Sequence, residues 1–309
     1  MRSPENYIKI LKTKGLLYSL REGFRAIWPL WWTGDRKSKD LINSQRVYCY
    51  LKRRYSRYIH DYPEQQAPTP KHIWICWLQG IEHAPEIVRQ CFRSVQHFAP
   101  DYEITLLTES NLLDWCTIPD DITAKYKSGR IGFAHFADIV RTNLLVEHGG
   151  IWLDATVLLT GALPDFITSS QVFFFRSSWI APVQHVGSNW LLASQPHNPL
   201  FENQQTLLYE YWRHERYLKD YFIYHLFTYL IMQSNAQSRT IIQNMPYRNN
   251  AAPLTMVFRM FEPYSERLYN DITTESAVHK LSYKFTEQQK AEIAKGGLLI
   301  NHLFGETAK

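Results

Sequence analysis

Asp154 stands at the end of a short apolar run behind two glycines, in GGIWLDATV, residues 149–157. A carboxylate where a buried strand runs out can bind ligand hydroxyls or share a cation, or it can simply cap a turn. A second carboxylate two residues on would let one strand end address hydroxyls and a metal together. Thr156 occupies that position instead. Its hydroxyl can bond a phosphate or a metal-bound water, but it cannot replace the missing charge. Upstream, Asp138 and Arg141 lie three apart in RIGFAHFADIVRTNLLVEHGG and share one side of a helix. They either serve a ligand or form a buried pair that ties the helix to its neighbours.

These residues need elements to hold them. Phe133, Phe136, Ala137, Val140, Leu144 and Leu145 give the Asp138 segment a packing face, and Gly149 and Gly150 end it. KHIWICWLQG reads as a buried first strand, APEIVRQCFRSVQHFAP as a helix and DYEITLLTES as a second strand. Strand, helix and strand within some forty residues predict a parallel sheet with crossover helices, where ligands gather at the carboxyl ends of strands. QVFFFRSS continues as a strand, and VGSNWLLAS as a strand or loop. LFENQQTLLYEYWRHERYLKDYFIYHLFTYLIMQS holds two helices.

The net charge of +5 hides an asymmetry. Residues 1–60 carry fourteen Lys and Arg against four Asp and Glu, a net +10, which leaves the remainder at −5. The prediction is a basic amphipathic helical extension over 1–62, a proline-rich linker over 63–70 (Pro63, Pro68, Pro70) and the main α/β domain over 71–309. The extension mixes Ile8, Leu11, Leu17, Leu20, Phe24 and Ile27 with Lys9, Lys12, Lys14, Arg21 and Arg25 ahead of Trp31 and Trp32. That pattern suits the headgroup layer of an anionic membrane, or a helix packed on its own domain. The acidic remainder has no Arg-rich stripe to track a phosphate backbone, so a nucleic-acid reading rests solely on the basic first sixty residues and nucleic acid is not the expected partner. Cys49, Cys76, Cys91 and Cys116 form no CxxC pair, which argues against structural zinc and a disulfide scaffold. No run of eighteen apolar residues predicts a spanning helix, and MRSPENYIKILKTKG lacks the apolar core of a secretion signal. A DxDx(T/V) order, a Walker lysine loop and a G-x-S-x-G elbow are all missing, which disfavours a hydrolase or phosphotransferase.

The run IGFAHFADIVRTNLLVEHGGIWLDATV, preceded by PKHIWICWLQG, resembles the capsular polysaccharide synthesis proteins. These are similar to glycosyltransferases with a DxD motif, including Och1-like mannosyltransferases and large clostridial glucosyltransferases. The likeness covers roughly residues 68–305 and rests on A-x-x-x-D-x-x-R (Ala134, Asp138, Arg141) and G-G-x-x-x-D (Gly149, Gly150, Asp154). It implies an α/β GT-A fold of Rossmann-like character with a mostly parallel sheet, and a hexosyltransferase using a nucleotide-sugar donor, a UDP-sugar in preference to a GDP-sugar. The acceptor it implies is a lipid-linked oligosaccharide in bacterial capsule synthesis, with a retaining transfer in the cytoplasm at the inner face of the cell membrane. A non-catalytic scaffold that keeps the fold is the alternative.

Site roles follow from the same resemblance. Ile73 and Trp74, on the strand that ends at Trp77, would bound the nucleoside. Ala134, Asp138 and Arg141 would face the donor sugar, with Asp154 on ribose, sugar or metal and Thr156 beside it. Ser188, Asn189 and Trp190 would supply a hydroxyl, an amide and a stacking wall. Lys280 or Lys284 would neutralise the leaving diphosphate. A divalent cation, Mn2+ or Mg2+, would be held by Asp154 and by His302 in GGLLINHLFG, more weakly than in relatives with both aspartates.

Overall fold

The computed structural model describes residues 36–64, 67–177 and 185–304. The amphipathic segment proposed for the membrane lies mostly within residues 1–35, outside the described residues. A five-stranded sheet forms the centre, built from β1 (His72–Cys76), β2 (Glu103–Leu107), β3 (Gly150–Leu153), β5 (Val172–Arg176) and β6 (Gly187–Ser194) in the order β2-β1-β3-β6-β5. β1 pairs parallel to both β2 and β3, whereas β6 runs antiparallel between β3 and β5. Four of the five strands therefore share one direction. A second, two-stranded antiparallel sheet joins β4 (Val157–Leu159) to β7 (Val278–Lys280). This is the mixed α/β arrangement with a mostly parallel central sheet that was expected, and the small sheet continues directly from the end of β3.

The expected strand, helix and strand are present, with α2 (Glu86–Phe98) crossing from β1 to β2. Short helices α3 (Leu112–Trp115) and α4 (Asp120–Lys127) lead to α5 (Phe133–Glu147). Residues His135 through Val146 of α5 are all buried, because the helix lies between the sheet and α6 (Pro199–His214). A helix buried on every side has room for polar groups only where they satisfy one another. The glycine doublet follows from the turn into β3: both residues have positive φ, and a Cβ on Gly150 would come within 2.6 Å of the His72 carbonyl oxygen.

The antiparallel course of β6 is the feature that assembles the site. Leu153 pairs with Leu191, and the Asp154 N–H donates to the Trp190 carbonyl at 2.8 Å. The first residues of β6 thus reach the edge where β1 and β3 end.

The remaining helices are α7 (Ile223–Ser234), α8 (Ala236–Asn244), α9 (Ala251–Arg259), α10 (Glu266–Glu275), α11 (Glu287–Lys295) and α12 (Leu299–Phe304). Met256, Met260, Leu268, Ile272, Ile293 and Ile300 gather α9 to α12 into a second apolar cluster with Ile87 and Cys91 of α2, whereas α7 and α8 join the main core. The basic helix α1 (Arg36–Tyr55) packs on α7 and α6. Its Val47, Tyr48, Leu51 and Tyr55 join the main core, Ser44 donates to Asp220, and Tyr55 donates to Glu215 at 3.0 Å. The 63–70 stretch therefore separates α1 from the sheet along the chain and not in space.

Candidate active site

At the end of β3, Asp154 has a side chain 27% exposed, the most open carboxylate of the motif. Its Oδ1 accepts from the Trp152 indole at 3.0 Å and lies 3.4 Å from Arg141 Nη2. Its Oδ2 lies 3.4 Å from Lys280 Nζ. Trp152 and Asp154 are two apart on an extended chain, so both side chains leave the same face. That spacing is the signal that could have marked Trp152, whose ring also lies under the Arg141 guanidinium at 5.0 Å.

Asp138 and Arg141 occupy successive turns of α5 and point at the same edge. Arg141 Nη1 stands 3.4 Å from Asp138 Oδ1 and donates to the Asn189 carbonyl at 2.6 Å. The Asn189 side-chain amide donates to Asp138 at 2.9 Å, so one residue of β6 holds both partners. Burial raises the Asp138 carboxyl, Arg141 pulls it down, Asp154 pushes it up and the Asn189 amide pulls it down, which together leave it at about 6. Burial also works against the Arg141 charge, but Asp138 and Asp154 outweigh it and its basicity rises. His135, one turn before Asp138, brings Nδ1 to 3.5 Å of Asp138 Oδ2 and takes the Tyr221 ring edge-on. The i, i+3 relation to Asp138 was readable, although His135 drew no role from sequence.

Thr156 and Lys280 are the other half of the site. The small sheet pairs Val157 with Lys280, and the Leu281 N–H donates to the Thr156 carbonyl at 2.9 Å. This register lays the Lys280 side chain along Thr156, whose hydroxyl accepts from Nζ. Thr156 is buried and Lys280 partly exposed.

The other expected residues fall elsewhere. Ile73 is fully buried, and Trp74 is buried with its indole bonded to the Gly149 carbonyl and its ring stacked on His72. Both sit in the middle of a strand flanked by two others, so they are core residues and not a nucleoside wall. Trp77, just past the end of β1, meets Tyr283 edge-on, and its buried indole N–H has no hydrogen-bond partner among the described residues. Ala134 is exposed in the first turn of α5. Ser188 accepts from Asn250 and lines a cavity of about 10 Å³ between β6 and α6, enough for at most a water. The Trp190 ring stacks on Phe175 inside the core, and only its carbonyl serves the site. Lys284 is exposed over the Tyr283 ring. His302, on α12, stacks on Tyr264 at 3.9 Å and has no ion pair with Asp154 among the described residues.

Residues 25–302 match the family model for the capsular polysaccharide synthesis protein. The chain belongs to that family. At the level of the family, glycosyltransferase action in capsular polysaccharide synthesis is supported. A 96-residue stretch is 29% identical to the O-glycosyltransferase braB of Annulohypoxylon truncatum, spanning 28% of this chain and 23% of that protein. Among solved structures, the PaToxG glycosyltransferase aligns at 14% identity over 88% of this chain and 97% of its own, with a TM-score of 0.39. That likeness is too distant to transfer residue roles.

Proposed function

We propose that this protein transfers a hexosyl group from a nucleotide-sugar, a UDP-sugar in preference to a GDP-sugar, to a lipid-linked oligosaccharide during capsule synthesis, with retention. One observation carries the reading: Asp154 is partly open at the carboxyl end of β3, with Arg141 on one carboxylate oxygen and Lys280 on the other. Fixed cations and donors at a sheet edge are what a departing diphosphate needs. Asp154 faces the donor, Arg141 sets its angle, and Asp138 with Asn189 fixes Arg141. Tyr221 and Phe222, exposed beside His135, offer an aromatic surface to an acceptor sugar.

The acceptor is placed at the inner face of the cell membrane, and the charge of the first sixty residues supports that placement. At the end of α1 and in the turn that follows it, Arg53, Arg54 and Arg57 line an exposed concavity with Tyr50. No helix among the described residues is long and apolar enough to cross a membrane. Because α1 contributes to the core, the suitable variant keeps it and changes Lys9, Lys12, Lys14, Arg21 and Arg25 to Glu. Its loss of sedimentation with phosphatidylglycerol vesicles is expected, and unchanged sedimentation refutes the membrane contact.

Donor and acceptor are tested by titrating the full chain with a panel of UDP- and GDP-sugars. Product formation on a polyprenyl-diphosphate-linked saccharide is then followed by mass spectrometry. Binding and product with at least one donor are expected. Failure to bind any of them refutes the transferase, and binding without product favours the scaffold reading.

A further inference from the structure

The side chains around Asp154 do not fit a divalent cation. Manganese and magnesium want several oxygen or imidazole ligands around one point. Among the described residues, no group of three or more His, Cys, Asp or Glu side chains could hold a metal. Asp154 is one carboxylate whose two oxygens already face Arg141 and Lys280. Thr156 offers a hydroxyl that Lys280 already engages. A dication placed here would stand against an ammonium and a guanidinium, and charge repulsion in a partly buried setting is steep.

We infer that Lys280 supplies the positive charge that a metal would otherwise bring to the diphosphate, so that nucleotide binding and transfer need no divalent ion. This rests on the glycosyltransferase reading above. The missing carboxylate at Thr156 and the ammonium of Lys280 beside it explain each other. One carboxylate with one ammonium leaves the same net charge as two carboxylates with a dication. A second aspartate at position 156 would add another carboxylate to the one that Lys280 already faces. The Thr156 hydroxyl accepts one N–H and adds no negative charge.

The geometry suits the task. β7 fixes the lysine backbone through its ladder with β4, and Nζ is further steadied by the Leu281 carbonyl at 3.3 Å. An ammonium has three N–H donors. The long contact to Leu281 is the one a phosphate oxygen would replace. In the transfer, the bond between the anomeric carbon and the distal phosphate oxygen breaks, and its electron pair leaves with the nucleoside diphosphate. The acceptor hydroxyl oxygen bonds to the anomeric carbon, and its proton passes to the departing phosphate oxygen. Lys280 donates hydrogen bonds to that oxygen throughout and gives up no proton.

The test is calorimetric titration of UDP, and separately of GDP, into the full-length protein in EDTA and in manganese chloride. Four forms are compared: wild type, Lys280→Met, Lys280→Arg, and the double variant Thr156→Asp with Lys280→Ala. Wild type is expected to bind one nucleotide equally in both buffers. K280M is expected to bind at least ~10-fold more weakly in both, the worth of one charge-assisted hydrogen bond. K280R should retain most of the affinity, and the double variant should bind only with manganese. Nucleotide binding by wild type that EDTA abolishes and manganese restores overturns the inference and leaves the transferase standing. So does a folded K280M, by far-UV circular dichroism, that binds as wild type does. Should K280M not fold, K280R and the double variant decide, and a double variant indifferent to manganese overturns it. Binding of neither nucleotide by wild type in either buffer overturns the inference together with the transferase reading.

Discussion

Replacing Arg141 by Gln tests the electrostatic frame of the site through stability alone. The guanidinium is buried and meets Asp138, Asp154, the Asn189 carbonyl and the face of Trp152. Removing one partner of a buried ion pair strands the other in a medium that solvates charge poorly, and costs about 3–5 kcal/mol. For a chain of this size that is a fall in Tm of roughly 5–8 °C. The loss must also depend on pH. Asp138 rises from its ordinary 3.8 to about 6 on folding, so the folded state binds its proton more tightly than the unfolded chain. Stability from this group is therefore greatest below the ordinary value, declines as pH rises to the folded value, and is flat above it. Arg141 holds the folded value down, and without it the decline is larger and extends to higher pH. The deficit of R141Q should be full at pH 8 and smaller at pH 5 by at least ~1 kcal/mol, the worth of about one pKa unit. Urea unfolding followed by tryptophan fluorescence at both pH values measures it. A deficit under about 1 kcal/mol at pH 8, or one as large at pH 5 as at pH 8, refutes the buried-pair account.

Two further substitutions probe the elements behind the site. Gly150→Ala places a methyl group within 2.6 Å of the His72 carbonyl at a positive φ and should cost at least ~2 kcal/mol by the same urea assay; a neutral effect would mean the turn into β3 is not as described. Leu51→Ala, on the basic helix α1, should cost about 2–5 kcal/mol because Leu51 is fully buried in the main core. A loss below 1 kcal/mol would show α1 to be a detachable extension.

The central elements were readable because their patterns are local. The apolar spacing around Asp138 gave a helix, and Gly149-Gly150 marked its end. The fall of the alternating and apolar runs gave β1, α2, β2 and β3. What was not readable depends on partners distant in sequence. The antiparallel seating of β6 makes Asn189 a bridge and sends the Trp190 ring into the core, and nothing local in VGSNWLLAS separates those fates. Lys280 and Lys284 are equivalent by type, and only the β4–β7 register tells them apart. Ile73 and Trp74 were given to the pocket because a carried-over strand does not say which of its residues reach the edge. The stripe of Val47, Leu51 and Tyr55 on α1, at four-residue spacing, was present in the sequence but masked by the basic residues around it.

Sugar transfer by wild type and Asp154→Asn, measured side by side by mass spectrometry with the donor that the panel selects, tests the central claim most directly. Asparagine keeps the shape and loses the charge that Trp152, Arg141 and Lys280 converge on. The account expects transfer to fall at least ~100-fold, as when one preorganised electrostatic contact at a reacting centre is lost. Transfer by D154N at the wild-type rate would contradict it.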